Sequence, residues 1–201
     1  MFQRRSEVIE GVRLATIILA AGLSKRMGRV NKLLIPIDGL PMIRRVMDAA
    51  IEAGSTDIYV VTGFERERIE SCLTGYVVNF VYNESFRSGM GTSIAEGIKA
   101  IARRGFEGAM ILLGDLPYLK SATLNTAASA FSENLDRKII VPEFDGKPGH
   151  PVVFPESRFD ELARLSGDHG AKKLIANHWS DVLRITVDDP GSIRDLDTLS
   201  E

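Results

Sequence analysis

Leu19-Ala20-Ala21-Gly22-Leu23-Ser24-Lys25-Arg26-Met27-Gly28, with Lys32 four positions later, is the stretch from which the fold of this 201-residue chain is read. An apolar run (Ala15, Ile17, Ile18, Leu19) leads directly into a loop of small residues carrying three cations. That order suits a buried strand ending in a loop that wraps a triphosphate. Gly22 and Gly28 let backbone N–H groups approach phosphate oxygens with no Cβ in the way. Lys25, Arg26 and Lys32 supply counter-charge. The stretch has neither the Gly-x-x-x-x-Gly-Lys-Ser/Thr order of a P-loop nor the Gly-x-Gly-x-x-Gly of a dinucleotide-binding turn. Taken alone, it reads equally well as an ordinary strand-to-helix connection with solvated cations.

The rest of the chain narrows the choice. Its length suits one domain, with residues 1–12 read as a polar N-terminal extension and 13–201 as the domain proper. Hydrophobic content of 44% and charged content of 26% are ordinary for a globular protein. The 25 cations and 27 anions leave a net charge of −2, which argues against a nucleic-acid binder. The single cysteine, Cys72, cannot form an internal disulfide, so a reducing, cytoplasmic setting is expected. His150, His169 and His178 are scattered, which disfavours a zinc site. No apolar stretch approaches the roughly 18 residues of a membrane span.

Short apolar runs alternate with helical spacing. Strands are expected at Leu14–Leu19, Ile58–Thr62, Val77–Tyr82, Ala109–Leu113, Ile139–Val141 and Val182–Val187. Ile43, Val46, Met47, Ala50 and Ile51 make one apolar helix face. Ile94, Ile98 and Ile101 make a second, Leu124, Ala127, Ala128 and Phe131 a third, and Phe159, Leu162 and Leu165 a fourth. Such alternation implies an α/β fold with a mostly parallel sheet covered on both sides. Ligands of such sheets gather beyond the carboxyl ends of the strands. Four segments should therefore share one rim: the opening loop, Thr62-Gly63, Asn83 with Ser88–Ser93, and Gly114-Asp115-Leu116-Pro117.

Each segment has a chemical and a plain structural reading. Asp115 ends an apolar strand and suits a hard cation such as Mg²⁺, which takes one or two carboxylates plus phosphate oxygens. It also suits a turn. Ser88–Ser93 can receive a phosphate, ribose or base, or Thr92 or Ser93 can simply cap a helix. Asp195 and Asp197 share a face if extended, and Asp197 is the candidate second metal carboxylate or a solvated tail residue. His150, in the breaker-rich Gly146–Pro151, is a substrate contact or a plain surface histidine, the second being favoured by spacing alone. Val187–Gly191 reads as a turn, and Arg66, Arg68, Arg103 and Arg104 as solvated helix faces. Together the rim residues suit nucleotidyl transfer by positioning and electrostatics.

On these residues the chain resembles the MobA-like nucleotidyltransferases, and within them the molybdenum cofactor cytidylyltransferases. The resemblance runs from about Thr16 to the C-terminus. It is carried by the opening loop with Asn31-Lys32, Val61-Thr-Gly63, Gly89-Met-Gly-Thr-Ser93, Gly114-Asp-Leu-Pro117, Gly149-His-Pro-Val152, Ser166-Gly-Asp-His-Gly-Ala171 and Asp195-Leu-Asp-Thr198. It implies a Rossmann-like three-layer αβα sandwich of the nucleotide-diphospho-sugar transferase type. It also implies Mg²⁺-dependent transfer of CMP from CTP to molybdenum-bound molybdopterin, and delivery of the product to an apo molybdenum hydroxylase. Lys32, Arg26 and Asp115 are then the catalytic residues, with Asp115 and Asp197 on the metal. Leu19, Ala20, Ala21, Gly22, Ser24, Lys25, Gly28, Thr62, Gly63, Asn83, Gly89 and Ser93 would bind the nucleotide. Gly149, His150, Pro151, Asp168 and His169 would face the acceptor.

The guanylyl branch usually carries Ala-Gly-Gly where this chain has Ala20-Ala21-Gly22. A methyl group at position 21 narrows the room beside the base and favours a pyrimidine. The chain departs from the family pattern at Pro148, where many relatives have arginine, and at Leu199, where proline is usual. Two other functions compete: transfer of a nucleotide to a sugar or polyol phosphate, and a non-catalytic carrier of the finished cofactor.

Overall fold

The computed structural model describes residues 12–24, 30–134 and 137–195. In chain order it contains β1 (Leu14–Ala20), a small hairpin of β2 (Pro36–Ile37) and β3 (Leu40–Pro41), α1 (Met42–Glu52), β4 (Ile58–Thr62), α2 (Arg66–Cys72), β5 (Asn79–Tyr82), α3 (Met90–Ile101) and β6 (Gly108–Leu113). There follow α4 (Ser121–Glu133), β7 (Ile139–Phe144), β8 (Lys147–Pro148), β9 (Val152–Pro155), α5 (Phe159–Leu162), α6 (Lys172–Asn177) and β10 (Val182–Thr186). The main sheet runs β10-β7-β9-β6-β1-β4-β5, with β8 added to β7. The β6, β1, β4 and β5 neighbours are parallel, as are β7 and β10, while β9 runs antiparallel to both β6 and β7. This is the expected three-layer α/β sandwich on a mixed, mostly parallel sheet.

Side-chain alternation along β1 explains the layers. Ile18 and Ala20 face α1 and α4, meeting Met42, Ile43, Val46, Met47, Leu124, Ala127 and Phe131. Ala15, Ile17 and Leu19 face the opposite layer, meeting Ile94, Ile98, Phe154, Phe159, Leu162 and Leu174. Each such buried aliphatic or aromatic side chain contributes about 1.5–3 kcal/mol relative to an exposed one. On the registered central strands, Leu19 lies beside both Val61 and Leu113, and Thr62 beside Tyr82. The strand ends therefore finish level, and the four expected rim segments do share one edge.

Several expectations need correcting. Ile51 sits at the end of α1 with 46% of its surface exposed, off the buried face formed by Ile43, Val46, Met47 and Ala50. Val77 is 90% exposed and precedes β5, an edge strand with less apolar surface to bury. The last expected strand stops at Thr186, before Val187. Val152-Val153, read only as an apolar pair, belongs to β9, the reversed strand between β6 and β7. The Val187–Gly191 turn contains a structural carboxylate: buried Asp189 accepts from Lys120 N–H (2.9 Å), Thr123 Oγ1 (2.7 Å) and Gly191 N–H (2.9 Å), tying the C-terminal loop to the start of α4. Residues 1–11 of the expected polar extension lie outside the described residues.

Candidate active site

The opening loop is stitched at its two ends. Ser24, in the left-handed region at φ 49°, accepts the Lys32 N–H on Oγ at 3.0 Å. Fully buried Asn31 caps the short 3₁₀ turn Lys32–Leu34, accepting Leu33 N–H at 3.2 Å and donating to the Phe64 carbonyl at 3.3 Å. These bonds hold the backbone at Lys32 against the ends of β1 and β4. Lys25, Arg26 and Gly28 lie outside the described residues.

Across the rim, Gly114 closes β6 onto β1. Its N–H donates to the Leu19 carbonyl at 3.0 Å, and a Cβ there would come within 2.8 Å of that oxygen. A glycine is thus required for the two strand ends to meet so closely. The next residue, Asp115, reaches the Lys32 ammonium: Nζ lies 2.5 Å from Oδ2, with the two side chains only 16% and 18% exposed. A partly desolvated ion pair at a strand rim holds both groups in place.

The pair lines a cavity of about 400 Å³. Of the candidate nucleotide and acceptor residues, Leu19, Ala21, Gly22, Ser24, Gly89, Ser93 and Asp168 share its wall. Leu23, Leu33, Phe86, Arg87, Met90 and Leu113 line it too and escaped the sequence reading. Arg87 and Met90 flank the Ser88-Gly89 step, so their proximity to that motif was the available signal. Ala20, Thr62, Gly63 and Asn83 stand behind the wall. Ala20 is buried in the α1 layer. Thr62 donates from Oγ1 to Glu70 at 3.3 Å. Gly63 leaves room for Phe86 and Ala21, whose Cβ atoms would lie 2.6 and 2.8 Å from a Cβ at that position. These four support the cavity and do not face it.

Asn83 also overturns the capping expectation for Thr92 and Ser93. Both hydroxyls sit inside the first turn of α3 and accept hydrogen bonds from Asn83 Nδ2, at 2.9 and 3.0 Å. Asn83 Oδ1 takes the Ser85 N–H at 2.9 Å. One buried amide therefore organises the whole Ser85–Ser93 connection. Its second clasp is Gly89, at φ 104°, where a Cβ would fall 2.3 Å from Gly167 C and 2.5 Å from Asp168 Oδ1. Gly91 N–H donates to the Gly167 carbonyl at 2.8 Å. The start of α3 and the Ser166–Gly170 loop are packed backbone to backbone.

Behind that clasp lies a second cavity of about 410 Å³, sharing Leu19, Met90, Leu113 and Asp168 with the first. Its wall is mainly apolar: Ile94, Ile111, Val141, Val152, Phe154 and Ile175. Of the candidate acceptor residues, Gly149, His150, Asp168 and His169 are on it, together with Lys172, Trp179 and Arg184, which were not among the candidates. Pro151 is buried behind it. His150 is no plain surface histidine. Its backbone N–H donates to Ser192 O at 2.8 Å. Its ring Nδ1 lies 3.4 Å from the Ile111 carbonyl, which can only accept, so Nδ1 carries the proton and Nε2 is left as an acceptor. Burial pushes its pKa below the ordinary histidine range; the Ile111 bond and Asp115 oppose the shift, and Lys172 adds to it.

The donor set was compared with what a divalent metal needs. Among the described residues no group of three His, Cys, Asp or Glu side chains converges. Two carboxylates, Asp115 and Asp168, line the first cavity, and Asp115, beside the Lys32 ammonium, fits the carboxylate position of a site that Mg²⁺ completes with phosphate oxygens and water. Asp195 is exposed, and Asp197 lies outside the described residues.

The chain is similar to known proteins in sequence and in fold. A family model described as MobA-like NTP transferase domain matches residues 16–182. The bifunctional protein GlmU of Caldanaerobacter subterraneus subsp. tengcongensis is 35% identical over 139 residues, which is 68% of this chain and 30% of that protein. The chain thus spans under a third of the length of that curated relative. The purine catabolism protein PucB of Bacillus subtilis is 27% identical over 196 residues, covering 94% of this chain and 93% of PucB. Among solved structures, Rv0371c of Mycobacterium tuberculosis H37Rv superimposes with a TM-score of 0.81 at 27% identity, over 93% of this chain and 94% of that one. A manganese complex of Rv0371c gives a TM-score of 0.72 at 26% identity, over 88% and 89%.

Proposed function

The chain belongs to the MobA-like NTP transferase family and is a nucleotidyltransferase; from that premise we propose that it transfers CMP from CTP to molybdenum-bound molybdopterin. Pyrophosphate leaves and the molybdopterin cytosine dinucleotide cofactor forms. The observation that carries this reading is the pair of cavities with one shared wall. One holds the Lys32–Asp115 pair, and the other is more apolar and large enough for a heterocycle.

In the transfer, an oxygen of the acceptor's terminal phosphate attacks the α-phosphorus of CTP. A new P–O bond forms as the bond to the bridging α–β oxygen breaks, and pyrophosphate departs with that electron pair. The attacking oxygen is already anionic, so no strong base is required. Lys32 and Arg26 neutralise charge building on the α-phosphate and the pyrophosphate. Asp115 would hold Mg²⁺, with Asp197 our choice for a second carboxylate. The metal would supply Lewis-acid polarisation of the phosphoryl oxygens. Asn83 and Gly89 keep the nucleotide wall in register, and His150 keeps a neutral acceptor nitrogen beside the second cavity.

Base choice is assigned to Ala21. Its methyl lines the first cavity and packs against Gly63, and there it would leave less room for a purine than for a pyrimidine. A sugar-phosphate acceptor is the competing reading. Sugar hydroxyls buried without partners are costly, and the side chains of Ile94, Ile111, Val141, Val152 and Phe154 offer them none. The product would pass to an apo molybdenum hydroxylase, in the cytoplasm, where the lone Cys72 is stable as a thiol. Pyrophosphate release measured with CTP and with GTP, in the presence of Mg²⁺ and molybdopterin, tests the assignment. A clear CTP preference is expected, and a GTP preference overturns it.

A further inference from the structure

We propose that Trp179 is the stacking platform for the planar pyrimidinone end of a pterin acceptor in the second cavity. This rests on the acceptor reading given above and extends it to a residue outside every quoted motif. Trp179 is the only tryptophan in the chain. It lies on the cavity wall yet leaves 59% of its surface exposed. A large apolar ring on the wall of an open chamber gains most when a ligand covers it.

Its surroundings hold it ready. Trp179 begins a short 3₁₀ turn, Trp179–Asp181, between α6 and β10. The residue before it, His178, meets Glu161 Oε2 through Nε2 at 2.8 Å. Two positions after it, Asp181 pairs with Arg158, which also reaches Glu161 at 3.1 Å. The turn is thus pinned to α5 on both sides of the indole. The Arg184 guanidinium lies over the ring, 5.4 Å from its centroid, and is itself paired with Glu143. A cation over one face fixes the ring and leaves the rest of it to an electron-rich or conjugated partner. A pre-organised aromatic side chain loses little entropy on stacking. A sugar acceptor has no π-face and would meet the ring only through its C–H groups.

The experiment uses 6-hydroxymethylpterin as a flat probe without phosphate or metal, followed by its own fluorescence anisotropy. Wild type, Trp179→Phe and Trp179→Ala are compared. The alanine variant should bind it about tenfold more weakly, the loss expected for one stacked ring. The phenylalanine variant should recover most of the affinity. In the transfer assay, Trp179→Ala should raise the acceptor KM by a similar factor and leave kcat and the CTP KM unchanged. Equal pterin affinity in all three proteins, or no pterin binding by wild type, overturns the platform. If wild type fails to transfer CMP to molybdopterin while pterin binding still depends on the ring, the platform stands and the molybdopterin reading falls.

Discussion

The two cavities are neighbours built in opposite ways. The first is assembled from strand ends that finish level on one rim, and its walls come from contiguous motifs. Its defining feature is charge: Lys32 and Asp115 face each other across the ends of β1 and β6. The second draws on residues scattered from Leu19 to Arg184, and its defining feature is apolar surface. The contrast teaches that one cavity is made to stabilise charge and the other to hold a body. Among the described residues they share Leu19, Met90, Leu113 and Asp168.

Removing charge from the first cavity should produce the largest effect. Asp115→Ala should lower kcat by about 10²–10³-fold or more, because the counter-ion of Lys32 and the proposed metal carboxylate are lost together. Binding of pterin in the second cavity should survive. A carrier protein would keep its function in this variant, so steady-state pyrophosphate release separates the two possibilities.

Damage to the shared wall should affect both cavities together. Gly89→Ala places a Cβ 2.3 Å from the Gly167 carbonyl carbon at a φ of 104°. The Ser166–Gly170 loop must shift away. Stability should fall by about 2–4 kcal/mol in urea melts, and KM should rise for CTP and acceptor alike. A rise for one substrate alone would show that the cavities are independent.

The smallest effect separates the cavities by pH. His150 has a folded pKa below its unfolded value of about 6.5. The native state then binds fewer protons than the unfolded chain. Its contribution is fully present above about pH 6.5 and is lost as the pH falls from there through the folded pKa. His150→Asn should flatten that limb of the stability–pH curve, measured by urea denaturation across pH 5–8. An unchanged slope would place the ring in water.

How much was legible follows the same contrast. β1, β4 and β6 are buried on both faces and appear as unbroken apolar runs, so their ends and the rim could be placed from residue order. Asp115 was found because it closes such a run. β9 is four residues long, follows the breakers Gly149–Pro151 and ends at Pro155, so its sequence carries no period. α6 buries fully only Leu174 and shows no stripe. Asp189 looked like a turn residue because two of its bonds go to Lys120 and Thr123, far away along the chain. His150 looked solvated for the same reason: the carbonyl it meets, at Ile111, comes from another strand. The strand-end motifs of the first cavity could be read, whereas Leu33, Phe86 and Arg87 on its wall could not. The second arises from long-range packing, which spacing does not encode.

The most direct measurement is the mass of the product. The protein is incubated with Mg²⁺, molybdopterin and each of the four nucleoside triphosphates in turn. CTP should yield molybdopterin cytosine dinucleotide and pyrophosphate in equal amounts, with far less product from the other three. No dinucleotide with any triphosphate would contradict the assignment of the paired cavities to nucleotidyl transfer onto molybdopterin.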